Sequence, residues 1–377
     1  MLIIRASKGR AYLNKTQLNI VDSTLNSCRY IYNEMLARNQ KVYKRRGEHL
    51  SYNDMQNLLP AMKKYKPWLK NADSQALKYA CRQVDTAYQK FFKHEAAFPQ
   101  FHSKKGRQCY TTTNASSIHI KDGKVKLPLL GWIRVRGMKT IPPGAKICYA
   151  SLSREPDGTY YISITYKEER IIIPKKPDKI IALDYKSDGL YVDSDGNCAN
   201  MPHWFRENQA KLTRRQRKLS KKQGSRKGEK KSNGWIKQHR KVARIQRKSA
   251  NQRLDHLHKK STELANGYDV VGSETLDMRA MSNKGFGNGK ATMDNGYGMF
   301  LTMLNYKLEE RGKRLVKVDK WFPSSQICSC CGYQNKELKN LQIRKWTCPE
   351  CNAYHDRDHN SAINIKHEVI HILKDAA

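Results

Sequence analysis

Cys328-x2-Cys331 and Cys348-x2-Cys351, separated by 16 residues, constrain this chain more than any other stretch. Two such pairs place four thiolates tetrahedrally at about 2.3 Å around Zn²⁺, with a short hairpin between them. Gly332 after the first pair and Pro349 inside the second suit tight knuckle turns. Four thiolates leave no open coordination position, so one structural zinc is expected here. Cys330 stands at the wrong interval and is left outside this shell. Cys28, Cys81, Cys109, Cys148 and Cys198 are scattered, without framework spacing. A disulfide scaffold distributes its pairs along the chain, whereas this cluster reads as a metal site in a reducing compartment.

Charge narrows the partner. The 377 residues hold 72 Lys+Arg against 34 Asp+Glu, a formal net charge of +38. A polyanion is needed to offset that self-repulsion, and nucleic acid leads over an anionic membrane surface. No stretch approaches the ~20 apolar residues of a bilayer span, and MLIIRASKGR has too short an apolar run for a signal peptide. A cytoplasmic nucleic-acid protein is expected.

Patterning gives the order of elements. Residues 1–13 read as a strand. Leu18, Val21, Leu25, Cys28, Tyr32 and Met35 recur at helical spacing, as do Leu77, Cys81, Val84, Tyr88 and Phe91 with Ser74 as N-cap. Residues 103–168 read as a small antiparallel barrel or sandwich, completed by the N-terminal strand, with Pro156-Asp157-Gly158 the strongest hairpin signal. From residue 179 the pattern is α/β, with buried-type strands at Ile180–Leu183, Asp269–Val271 and Arg314–Val318. Between them, residues 206–260 hold 21 Lys+Arg against three acids, a net of +18. They read as two basic helices broken near Gly224–Gly234, with outer faces suited to a phosphate backbone. A Gly/Asn-rich loop is expected over Ser282–Gly298, before a helix at about 299–312.

Three carboxylates stand out by position. Asp184 ends the strand Ile180–Leu183, Glu274 ends the strand beginning at Asp269, and Asp358 opens an apolar helix just after the cysteines. Such acids can converge on divalent cations, and two Mg²⁺ ions about 4 Å apart can activate water and stabilise a leaving 3′ oxygen. Taken singly, Asp184 also reads as a turn residue and Asp358 as an N-cap.

The stretch Trp321-Phe322-Pro323-Ser324-Ser325-Gln326-x-Cys328-x2-Cys331-Gly332, then Cys348-x2-Cys351 and His355-Asp356-Arg357-Asp358-x-Asn360-Ser361-Ala362-x-Asn364-Ile365, closely resembles TnpB. TnpB proteins are RNA-guided DNA nucleases encoded by bacterial insertion sequences and relatives of type V CRISPR effectors. The resemblance covers essentially the whole chain, including Cys28-Arg29-Tyr30-Ile31-Tyr32-Asn33 and Phe98-Pro99-x-Phe101.

That resemblance implies a multidomain α/β and β architecture. It comprises a wedge strand at 1–13, a helical recognition lobe at 14–102 and a wedge β-barrel at 103–175. An RNase H-like (RuvC-like) nuclease follows at 176–323, with a zinc ribbon at 324–354 inserted before its last segment, 355–377. It implies a catalytic trio of Asp184, Glu274 and Asp358 holding two Mg²⁺, and Cys328, Cys331, Cys348 and Cys351 holding one Zn²⁺. The partners implied are a transposon-encoded guide RNA and target double-stranded DNA, cut beside a short target-adjacent motif. Position in the lobe marks Tyr52, Ser74, Lys78 and Thr113 for contacts there, and DNA binding implies nucleoid association. Lys186 departs from the glycine common two residues after the first aspartate. Asp356 is the rival of Asp358, whose Arg-Asp-x-Asn frame matches the family. The alternatives are a repressor that binds without cutting and an effector guided from a CRISPR array.

Overall fold

The computed structural model describes residues 2–226, 228–283, 285 and 289–375, and the chain forms two compact units, Met1–Ile171 and Ile172–Ala377. The first holds β1 (Leu2–Tyr12), α1 (Lys15–Arg46), α2 (Tyr52–Tyr65), α3 (Ser74–Phe92), β2 (Gln108–Thr112), β3 (His119–Lys121), β4 (Lys124–Leu127), β5 (Gly131–Arg136), β6 (Lys146–Arg154) and β7 (Tyr160–Glu169).

Local chemistry sets the ends of these elements. Asn14 and Gln17 form a reciprocal capping box at the start of α1, and Gly47 closes it in the left-handed region at φ 69°. The 3,4-spaced residues Val21, Leu25, Cys28, Tyr32 and Met35 are buried along α1. In α3 the cap is Asp73, whose carboxylate accepts from the Gln75 N–H at 2.9 Å, so Ser74 is the first helical residue and not the cap. An aspartate one residue earlier competes equally well for the role.

The seven strands form one antiparallel sheet in the order β2-β6-β7-β1-β5-β4-β3, with the N-terminal strand at its centre. Its two edges, β2 and β3, do not pair with each other, so the sheet is an open half-barrel where a small barrel or sandwich was expected. Helices explain the difference. Leu77, Ala80 and Cys81 of α3 share one core with Tyr110, Ala150 and Leu152, so this sheet buries its face without closing on itself. At the other edge β3 is short, exposed and ends in Lys121, which discourages further pairing.

The second unit holds β8 (Ile180–Tyr185), β9 (Tyr191–Asp193), β10 (Cys198–Ala199), α4 (Trp204–Ser220), α5 (Asn233–Gly267), β11 (Val270–Ser273), α6 (Met278–Met281), α7 (Gly289–Asn295), α8 (Tyr297–Glu309), β12 (Arg314–Lys317), β13 (Lys345–Thr347), β14 (Tyr354–Asp356) and α9 (Arg357–Asp375). Its five-stranded sheet runs β10-β9-β8-β11-β12, an antiparallel meander continued by two parallel strands. Both faces are covered, as parallel strands require. Ile181, Leu183 and Val271 pack with Leu264 of α5 and Phe300 and Leu304 of α8, while Ala182 and Val270 pack with Ile365 and Val369 of α9. Gly272 makes that second contact possible, since a Cβ there would meet Val369 Cγ2 at 2.7 Å.

The segment 282–298, expected as loop, contains α7 and the start of α8, while Lys284, Phe286, Gly287 and Asn288 lie outside the described residues. What orders α7 is a side chain. Asn295 donates to the Ser187 carbonyl at 2.7 Å and the Lys186 carbonyl at 3.3 Å, tying the helix to the turn after β8. Among the described residues no helix is long and apolar enough to cross a membrane.

Candidate functional site

In-register pairing of parallel strands brings two acids together. Leu183 of β8 pairs with Ser273 of β11, so Asp184 and Glu274 are the next residues on neighbouring strands. Asp184 is buried at 8% exposure. Two serines connect the acids: Ser361 Oγ lies 2.9 Å from Asp184 Oδ1 and 2.9 Å from Ser324 Oγ, which lies 2.6 Å from Glu274 Oε1. Three contacts need three protons, and two hydroxyls supply only two. A proton on one of the carboxyl groups would complete the chain.

The electrostatics agree. Burial, then the nearby Glu274 and Asp358 carboxylates, push the Asp184 carboxyl well above its ordinary value, against the opposing Ser361 hydrogen bond and Arg357. Burial also raises Glu274, against its bond from Ser324. Asp358 sits in the first turn of α9, one helical turn before Ser361, and its Oδ1 accepts from Arg344 at 3.1 Å. The three carboxylates do not close into one cluster. Among the described residues, only thiol and imidazole groups bring three or more potential ligand atoms within 4.8 Å of one another. Like charges without a cation between them separate, and Arg344 offers Asp358 another partner. Asp356 takes the capping role in its place: its Oδ1 accepts from the N–H groups of Asp358 and His359, both at 3.2 Å. Asp193 ends β9 and holds the turn that follows, accepting from the N–H groups of Asp195 and Asn197.

The four cysteines of the two pairs converge as their spacing predicts. Cys328 and Cys351 approach to 3.6 Å between sulfurs, as do Cys331 and Cys348, and all four lie within 4.8 Å of one another. A zinc tetrahedron with 2.3 Å bonds has edges of about 3.8 Å. Burial raises the Cys348 thiol, but backbone N–H groups of Cys351 and Glu350 and the neighbouring thiols outweigh it, lowering it to about 7. Two neighbours stand beside them: Cys330, left outside the shell by its interval, and His355, for which no metal role is expected from the sequence. Buried His355 places Nε2 3.1 Å from Cys328 Sγ, and with Cys330 and Cys328 it forms a second three-donor group.

Two asparagines join this cysteine element to α9. Asn360 donates to the Ile327 carbonyl at 2.7 Å and accepts from the Ser329 N–H at 2.9 Å. Asn364, one turn on, donates to the Ser324 and Ile327 carbonyls at 2.8 and 2.6 Å. The Asp-x-Asn-Ser-x-x-Asn spacing therefore puts one acid, one serine and two backbone clamps on adjoining turns. Ser324, Ser361, Asn360 and Asn364 all lie in the motif quoted above, but polar residues of these types reveal no partners from sequence alone.

In the first unit Ser74, Lys78 and Arg82 follow at four-residue intervals along α3. The Arg82 guanidinium lies over the Tyr52 ring at 4.9 Å, Ser74 Oγ accepts from Lys63 Nζ at 2.8 Å, and Thr113 Oγ1 lies 3.5 Å from Gln75 Oε1. Ser74 and Lys78 thus lie on α3, and Tyr52 and Thr113 each meet another residue of it.

Three family models match parts of the chain. Residues 1–48 match a family model described as "Helix-turn-helix domain", residues 163–285 one described as "Probable transposase", and residues 297–365 one described as "Cas12f1-like, TNB domain". The segment matched by the first is one strand and one 32-residue helix over most of its length. A Streptomyces pristinaespiralis protein named "Putative RNA-guided DNA endonuclease" is 29% identical over 364 residues, covering 96% of this chain and 88% of its own. "Putative RNA-guided DNA endonuclease InsQ" of Escherichia coli K12 is 30% identical over 356 residues, covering 90% and 86%. The cryo-EM structure of a Cas12f1–sgRNA–target DNA complex matches the fold with a TM-score of 0.50 at 14% identity, covering 97% of this chain and 99% of that one. On its length-spanning similarity to these relatives, the chain belongs to the TnpB-like family of RNA-guided DNA endonucleases.

Proposed function

We propose that this protein binds a transposon-encoded guide RNA and cleaves DNA that pairs with the guide beside a short target-adjacent motif. The single observation that carries the site is Asp184 and Glu274, the residues that follow the paired Leu183 and Ser273, joined through Ser361 and Ser324, with Asp358 one turn before Ser361 on α9. A meander followed by parallel strands, covered by helices on both faces, supports an RNase H-like (RuvC-like) reading of residues 176–323 and 355–377. The wedge is assigned to 1–13 and 103–175, the recognition lobe to 14–102 and the zinc ribbon to 324–354. Tyr52, Ser74, Lys78 and Thr113 are assigned to the target-adjacent motif.

The acids fit a hard divalent cation. Their donors are carboxylate oxygens, Asp184 is buried, and its carboxyl is destabilised as an anion, which is what a cation relieves. Asp184, Glu274 and Asp358 would hold Mg²⁺, which when bound supplies positive charge to the attacking and leaving oxygens of phosphodiester hydrolysis. The chain's own residues do the positioning: Ser361 and Ser324 fix the two carboxylate rotamers, and Arg344 pairs with Asp358. Cys328, Cys331, Cys348 and Cys351 would hold Zn²⁺ as a closed structural site. Sequence selection falls to base pairing with the guide, and the basic helices grip backbone.

Asp184→Ala tests the assignment. Guide RNA should co-purify with the variant as with the wild type, while Mg²⁺-dependent cleavage of a matched plasmid falls by at least about 100-fold. Cutting near the wild-type rate would remove Asp184 from the site. The Asp358–Arg344 ion pair favours a second reading, an RNA-guided binder that does not cut. Absence of cleavage by the wild type with its own guide would select it.

A further inference from the structure

A cavity of about 480 Å³ lies within the first unit, between α1, α3, the β2–β6 edge and the segment 101–108. Its volume is in the range of small-ligand sites. Its wall is built, not draped. Asn33 both donates to the His102 carbonyl at 2.9 Å and accepts from the His102 N–H at 2.8 Å, and the Tyr32 ring stacks on His102 at 3.6 Å, with the planes 3° apart. These contacts hold the segment against α1.

The lining carries Arg29 and Arg107 and no carboxylate. The NH1 nitrogen of Arg29 is removed from solvent and has no hydrogen-bond partner, while NH2 donates to Asn26 Oδ1 at 3.0 Å. A buried guanidinium N–H without an acceptor is unfavourable, and an anionic oxygen is the acceptor that suits it best. Beside the arginines stand Tyr79 and Tyr149, ring centroids 6.4 Å apart and planes 35° from parallel, and the amide of Gln83. Guanidinium for phosphate, aromatic faces for a base and an amide for its edge are the elements of recognition of an unpaired nucleotide.

We infer that this cavity seats one unpaired nucleotide, its phosphate on Arg29 and Arg107 and its base against Tyr79 and Tyr149. The inference rests on the proposed nucleic-acid function and assigns the strand no sequence. The nucleotide can come from the RNA or from a DNA strand, because both present the same phosphate and stacked base.

The test uses the full chain co-expressed with its flanking DNA. RNA labelled with 4-thiouridine is irradiated in one arm, and target DNA carrying 5-iododeoxyuridine in the other, and the cross-linked peptides are identified by mass spectrometry. Adducts on Tyr79 or Tyr149 in the RNA arm assign the guide, and in the DNA arm the target. The Arg29→Gln/Arg107→Gln variant should lose those adducts by about tenfold and flatten the log–log salt dependence of binding by about one to two. Arg107 is exposed, so R107Q alone carries the test if the double variant fails to fold. Adducts confined to other peptides, with an unchanged salt slope, would overturn the pocket and leave the cleavage reading standing. Absence of both co-purifying RNA and cleavage would overturn both.

Discussion

Asp184 shows how one carboxyl group can report on the whole acidic site. Burial dominates its raised value, and Glu274 and Asp358 add to it. An acid whose folded value lies above its unfolded one binds more protons in the native state. Native stability therefore falls as pH rises from the unfolded value near 3.9 through the raised folded value, the reverse of a salt-bridged aspartate. Glu274 has the same sign. In metal-free protein at pH 7–8, Asp184→Asn should raise the unfolding temperature by a few degrees, and Mg²⁺ should raise that of the wild type but not of the variant. A variant less stable than wild type across pH 5–8 would contradict this. Ser361→Ala removes the hydroxyl that favours the charged form, so the acid limb of the cleavage rate should move to higher pH. An unmoved limb would detach Ser361 from Asp184. The acids were legible as the ends of apolar runs. The serines were not, because Ser361 meets a partner 177 residues away.

At the scale of elements, α9 and the cysteine knuckles behave as one piece. Asn364 is buried and satisfies two carbonyls in the strap that carries Ser324 into Cys328. Asn364→Ala leaves those carbonyls without partners and should destabilise the second unit by about 1–3 kcal/mol. It also frees Ser324 from its place between Glu274 and Ser361, so cleavage should fall more than stability predicts. Equal losses, compared by denaturant unfolding and initial rates, would make Asn364 a packing residue alone. Cys348→Ser should abolish zinc retention, and exposure of Trp346, which packs beside Cys348, would report the loss as a fluorescence change. Spacing alone identified the four thiols, because a knuckle is a local structure. The open edge of the half-barrel and the helix α7 escaped the sequence for the opposite reason. One depends on α3 filling the core beside β2, the other on Asn295 reaching back to residues 186 and 187.

Across the whole molecule the excess of positive charge is general, but its placement on the basic helices is specific. α5 turns Val242, Ala243, Leu257 and Leu264 inward, and leaves Lys237, Lys241, Arg244 and Lys248 exposed at four-, three- and four-residue spacing. That is one helical stripe, with a rise of about 16 Å from first to last. A stripe of this kind neutralises backbone phosphates and releases counterions without reading bases. Changing all four to glutamine should lower the slope of log affinity against log salt by about three, and weaken binding alike for matched and mismatched targets. Thermal stability should hardly move, since the four side chains lie on the outer face and the buried positions are untouched. Discrimination between targets would survive, because base pairing supplies it. A variant that lost discrimination while keeping its salt slope would place sequence reading on α5 itself, and the separation between gripping backbone and choosing sequence would fail.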